Sequence, residues 1–198
     1  MTELPDPLPL VLRSVPRAEV ETSASLSLFA RPGQEGIKTR HIAMLVADGV
    51  DGEALTRLHA ALAEQGAVPR FVGIKLGEVQ SARGDPILVE VTLETAPSVV
   101  WDAVVLPDGQ TAVATLSRSG HAVEFIKDQY RHCKAILVLG AAGSLLETAR
   151  IPAKLPSGAE DPALLRFKDS GGDAAVKAFA QAIAQHRCYD RETDPPLV

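Results

Sequence analysis

Apolar runs that alternate with helical segments predict an α/β fold, a three-layer sandwich around a mostly parallel sheet. Three observations carry this. HIAMLVA (41–47), AVVLP (103–107) and AILVL (135–139) are near-continuous apolar runs, as expected of strands covered on both faces. Residues 52–65 and 173–186 repeat apolar positions at helical spacing. Between them, DQYRHCKAILVLGAAGSLLETA (128–149) reads as a helix end, a buried strand, a tight small-residue turn and a new helix.

Residues 1–37 stand apart. Pro5, Pro7, Pro9, Pro16 and Pro32 interrupt any regular element, which predicts an extended arm or linker. Leu8, Leu10, Val11, Leu12, Leu26, Leu28 and Phe29 would be wasted on a solvated tether, so the arm is expected to pack on its own domain or on a neighbour. The folded domain is expected over 38–190. Its first strand, 41–47, turns at Asp48-Gly49-Val50-Asp51, and Asp51 is placed to cap the helix that follows. That helix presents Ala54, Leu55, Leu58, Ala61 and Leu62 on one face and closes at Gly66. A second strand, 68–74, tolerates Pro69 near its start. Residues 78–94 read as hairpin material around Arg83-Gly84-Asp85-Pro86. After the strand at 103–107, Ala122, Phe125, Ile126 and Tyr130 mark a helical face. Residues 150–162 read as a loop, 164–167 as a short strand, and 191–198 as a polar tail.

Composition narrows the function. With 198 residues and 46% hydrophobic content the chain can bury a full core, and a net charge of −5 disfavours nucleic acid. No apolar run approaches membrane-spanning length, and the acidic, proline-bearing start is unlike a signal peptide, so a cytoplasmic protein is expected. Cys133 and Cys188 provide neither a disulfide framework nor a metal cluster, and His41, His59, His121, His132 and His186 form no metal-binding pair. No metal and no cofactor are expected.

In an open parallel sheet a ligand lies outside the carboxyl ends of the strands. Those ends carry Asp48, Gly49, Asp108, Gly109, Gly140, Ala142 and Gly143. Nucleophilic catalysis there needs a Ser or Cys on the strained turn, a base and an oxyanion hole. The turn offers Ala141 and Ala142 instead, so no catalytic residue is assigned. Ser144 is expected to cap the next helix. Cys133 is expected to be a partly buried structural thiol at the opposite end, and Cys188 to be exposed near Arg187 and His186. Asp48 and Asp108 could hold a cation or do acid–base work, but both precede residues suited to turns, and turn formation is the favoured reading. The glycines at 140 and 143 could present backbone N–H groups to an anion, although they complete neither a Walker loop nor a dinucleotide fingerprint.

Several ordered segments resemble the C-terminal domain of large-subunit haem catalases: LSLFARPGQEGIKTRHIAMLVADGVDG (26–52), VVLPDG, EFIKDQYRHCKAI and IAQHRCYDRE (183–192). The arm LPDPLPLVLRSVP resembles the linker leading out of the catalase core. The resemblance implies a flavodoxin-like domain related to the class I glutamine amidotransferase-like superfamily. In that superfamily an acidic residue after the first strand supports a cysteine on the turn. The cysteine position matches Ala141 here, and the acidic one falls near Glu53 and Ala54. It also implies that haem chemistry, with its tyrosine ligand and distal histidine and asparagine, belongs to an N-terminal barrel outside this region.

Peroxide dismutation by this chain alone is therefore not expected. The expected role is a non-catalytic accessory domain, stabilising or chaperone-like, in a hydrogen peroxide detoxification context. Its partner would be a second copy (a homo-oligomer) or a haem catalase core. The alternatives are a small-molecule hydrolase or amidotransferase-like enzyme using Cys133 or Cys188, and a ligand-binding module using Asp48 and Asp108.

Overall fold

The computed structural model describes residues 19, 20, 23, 36–169 and 172–198. The chain divides into two units, Met1–Gln34 and Glu35–Val198. The proline-rich arm and its apolar side chains lie almost wholly outside the described residues. The second unit starts a little before the expected position 38, because Ile37 is already a core residue, 1% exposed.

β1 (His41–Leu45), β2 (Val68–Gly73), β5 (Val91–Thr92), β6 (Ala103–Leu106), β7 (Ala135–Leu139) and β8 (Leu164–Phe167) form one six-stranded sheet, ordered β5-β2-β1-β6-β7-β8. Every pairing in it is parallel. The central strands β1, β6 and β7 are buried almost throughout, which is why they read as unbroken apolar runs rather than alternating ones. α1 (Gly52–Glu64) and α5 (Gly172–Ala184) cover one face. α2 (Gln110–Ser117), α3 (Gly120–Arg131) and α4 (Gly143–Thr148) cover the other. The result is the three-layer α/β sandwich expected from the sequence.

Local signals explain most boundaries. The Asp51 carboxylate accepts from the Ala54 N–H at 3.1 Å, as an N-cap should. Pro69 sits at the second position of β2, opposite Ile42. The segment 78–94 splits in two. β3 (Gly77–Gln80) and β4 (Pro86–Val89) form an antiparallel hairpin of their own, whose turn is wrapped by the Ser81 hydroxyl accepting from Arg83 N and Asp85 N. β5 then leaves the hairpin and joins the main sheet beside β2. Glu90 makes the switch: one carboxylate oxygen takes Arg70 Nη1 at 2.6 Å and the other takes Phe71 N at 2.8 Å. A continuous β-branched run conceals this change of partner.

The single helical face expected before β7 belongs to α3. A separate α2, with Ala112, Val113 and Leu116 buried, precedes it, and Ser119 starts α3 afresh by accepting from Ala122 N at 3.3 Å.

The reading of 191–198 as a polar tail is corrected at its start. α6 (Asp190–Thr193) packs on the domain, and Arg191 is 4% exposed. Arg191 Nε reaches Asp161 Oδ2 at 2.7 Å and Nη2 reaches Oδ1 at 3.1 Å. Nη1 donates to the carbonyls of Tyr130 and Lys134, and the guanidinium carbon lies 4.2 Å from the centre of the Tyr130 ring. A fork of this kind satisfies the charge only while both partners remain. Arg191→Met therefore leaves Asp161 buried and unpaired and is expected to lower the unfolding free energy by roughly 3–5 kcal/mol, read from urea denaturation. A loss below about 1 kcal/mol would show that the pair is dispensable.

Candidate functional site

The carboxyl ends of β1, β6 and β7 bring together the loops that carry the expected crevice residues. Asp48 is exposed, and its Oδ1 accepts from Gln80 N at 2.8 Å, so it ties the β3–β4 hairpin to the loop after β1. Gly49 N donates to Gln80 O at 2.7 Å, and Ala82 N donates to Val50 O at 2.8 Å. The loop after β6 meets the same loop from the other side, with Asp51 N donating to Asp108 O at 3.0 Å.

Asp108 reaches furthest. Its Oδ1 accepts from Gly109 N at 2.7 Å and from Ala141 N at 2.8 Å, the second bond crossing from β6 to β7. The strained position of the turn after β7 is Gly140, at φ +47, one residue before Ala141. A side chain at 140 would overlap the Asp108 carboxylate carbon and both its oxygens. At Gly109, φ +122, a side chain would strike the Gly49 carbonyl and come within 3.0 Å of Val50 Cα. Both positions accept only glycine without rearrangement.

The remaining expected residues line the start of α4. A 3-10 turn over Gly140–Ala142 leads into the helix, and Ala142 is its N-cap and fully buried. Ser144 is not the cap: it lies inside the helix, exposed, with its hydroxyl donating to Ala141 O at 3.1 Å. Glu53, near the position expected to hold a supporting acid, sits in the first turn of α1 and pairs with Arg57 at 3.5 Å and with Arg83. Grooves lined by described residues run along α1 and α5, α2 and α3, and α1 and β4, and none of these is lined by Asp108 or Gly140. Among the described residues no three His, Cys, Asp or Glu side chains converge as metal ligands would.

Titratable groups with displaced affinities gather at the opposite, amino end of the sheet. Lys134, just before β7, is 1% exposed and donates from Nζ to Ser98 O at 2.6 Å. Gln129 is wholly buried beside it and donates to Ser98 O and Oγ. Burial, with the nearby Arg187 charge, pushes the Lys134 ammonium down to about 8. Cys188 is buried rather than exposed, and burial and then the Asp161 charge push its thiol up to about 11. Burial and then Glu192 push Cys133 up as well. Sequence reading passed over Lys134, Gln129 and Ser98, because a lone lysine before a strand looks like an ordinary surface residue.

A parallel sheet of this order with helices on both faces defines an α/β protein of the flavodoxin-like fold. Solved structures share it. A DJ-1 superfamily protein of Salmonella typhimurium matches at TM-score 0.64 and 20% identity over 80% of this chain and 100% of its own. Drosophila melanogaster DJ-1beta matches at 0.63 and 19% over 76% of this chain and 91% of its own. These identities speak to the fold alone. The chain belongs to the family of C-terminal domains found in long catalases, whose pattern matches residues 38–193. It is 34% identical to catalase HPII of Mycobacterium avium over 93% of this chain and 28% of that catalase. It is 33% identical to catalase HPII of Pseudomonas putida over 88% of this chain and 23% of that one. The chain thus spans 28% and 23% of these two relatives' lengths.

Two measurements test the electrostatics. With its affinity lowered from 10.5 to about 8, Lys134 binds its proton less well folded than unfolded. Its penalty is therefore complete below about pH 8 and fades as the pH rises toward 10.5. The stability difference between Lys134→Met and the native chain should shift against the variant across that window, in urea titrations at stepped pH. Separately, both thiols should label with iodoacetamide at neutral pH more slowly than the same thiols in urea, by at least roughly ten-fold. Equal rates would mean that neither is protected.

Proposed function

We propose that this domain works by contact and not by turnover. It is an accessory domain that packs on a haem-containing catalase core, stabilises it, and holds partly unfolded chains in a chaperone-like way. The family match supports a hydrogen peroxide detoxification setting, and the cytoplasm is the compartment this reading favours. The observation that carries the reading is the turn after β7, where Gly140 bears no side chain and Asp108 fills the space in front of it.

Haem chemistry is not assigned to this domain. Tyr130 is 2% exposed, covered by the Arg191 guanidinium, and its phenol is pushed up to about 12 by burial and then by Asp161. That setting opposes the phenolate a haem iron would need. Tyr189 stands at the N-terminus of α6. The rival reading, an amidotransferase-like enzyme using Cys133 or Cys188, is disfavoured. Both thiols are buried at the amino end of the sheet, where their affinities rise instead of falling. A ligand-binding module at Asp48 and Asp108 is disfavoured because both carboxylates are bonded to neighbouring loops.

The test uses the purified chain. It should show no Soret band and release no oxygen from peroxide. Added at equimolar concentration to a haem catalase core being heated, it should reduce light scattering, where an unrelated protein of equal size does not. Stoichiometric haem with oxygen release would overturn the reading, and so would scattering unchanged by the domain.

A further inference from the structure

Asp108 is explained only in part as a turn residue. An Asp-Gly turn accounts for the bond from Gly109 N to Oδ1. It does not account for the second bond to the same oxygen, from Ala141 N, 33 residues along the chain. Nor does it account for the carboxylate lying where a side chain at 140 would project.

We infer that the Asp108 carboxylate is the resident occupant of the turn after β7: it takes both the volume of a nucleophile at 140 and the backbone donors of the oxyanion such a nucleophile would generate. Gly140 holds the left-handed conformation of a strained strand-to-helix turn, at φ +47. In a nucleophile elbow the N–H of the next residue supplies part of the oxyanion hole. Here that N–H belongs to Ala141 and points at Asp108 Oδ1 at 2.8 Å, while Gly109 N reaches the same oxygen at 2.7 Å. Two N–H groups on one anionic oxygen are the arrangement that stabilises an oxyanion. The anion is supplied by the protein itself. The turn is therefore inert by occupation, and a thiol or hydroxyl introduced at 140 has no room unless the Asp108 side chain is displaced.

This inference concerns the packing of the turn and goes beyond the accessory role. Its test reads no property of a catalase core, so the two readings fail separately. The urea midpoints of Asp108→Ala, Gly140→Ala and the double variant are compared. Gly140→Ala should lower the midpoint, and the double variant should lose less than the sum of the two single losses. Asp108→Asn keeps the volume, so combining it with Gly140→Ala should give no such relief. In the Gly140→Ala single variant, which retains the carboxylate, eviction should abolish the hydrogen-exchange protection of Ala141 N–H. A Gly140→Cys thiol should react with iodoacetamide roughly ten-fold faster beside Asp108→Ala than beside the native carboxylate, whose charge opposes the thiolate. Additive midpoints, retained Ala141 protection or equal labelling rates in the two backgrounds would each overturn the inference.

Discussion

At the carboxyl end of the sheet three loops approach one another more closely than side chains allow. The loop after β6 lies on the loop after β1, where a Cβ at Gly109 would enter the Gly49 carbonyl. The loop after β7 lies on Asp108, whose carboxylate occupies the Cβ direction of Gly140. The start of each adjoining helix depends on these contacts. Asp51 caps α1 while its own N–H is held by Asp108 O; Gly109 leads into α2, and the turn at Gly140–Ala142 leads into α4. In an open α/β sheet this is where a ligand would lie. Here glycine backbone and one carboxylate interlock there instead. The absence of an attacking side chain and the closing of its space are one structural fact.

The amino end of the sheet is built on the opposite principle. There polar groups are buried against one another. Asp161 and Arg191 face each other with side chains 1% and 2% exposed. Lys134 and Gln129 share Ser98, and Cys188 N donates to Cys133 O at 2.7 Å. Buried pairs of this kind add little net stability over apolar residues, but they penalise any arrangement that separates them. Their effect is to specify where the C-terminal segment lies, against the residues preceding β7 and β8. Asp194 extends the same tie by accepting from Ser157 N at 2.9 Å, in the long loop before β8. Thiols that a sequence reading offers as reactive are thereby enclosed beside this buried polar cluster.

The division between what was legible in the sequence and what was not follows from range. The parallel sheet was legible because strands buried on both faces must be apolar at every position, as in Ile42–Leu45 and Ala103–Leu106. The cap at Asp51 was legible because its partner, Ala54, is three residues away. The run of small residues after β7 was legible from residue types alone, but its strained member, Gly140 and not Ala141, was not, since both are small and only the backbone angle separates them. Partner changes were invisible. The run 86–92 is uniformly strand-like, yet it pairs with β3 at one end and β2 at the other. Arg191 reads as a tail cation because nothing near it in sequence announces Asp161, 30 residues earlier.

The geometry also constrains how such a turn could change. A catalytic residue at 140 needs room in front of the turn, donors for an oxyanion, and a backbone already in the strained conformation. The last is present, at φ +47, and the donors are present on Gly109 and Ala141. Of these three the room is missing, and the base that attack also requires is a further need. Substitution at 140 alone displaces a doubly bonded carboxylate, and substitution at 108 alone leaves two N–H groups without their acceptor, a cost of about 1–3 kcal/mol. Each single step therefore lowers stability before any chemistry becomes available. Under the proposed contact role neither intermediate is well tolerated. The same two hydrogen bonds that hold the loops together hold the turn closed, so a selection for firm packing is also a selection against turnover at this position.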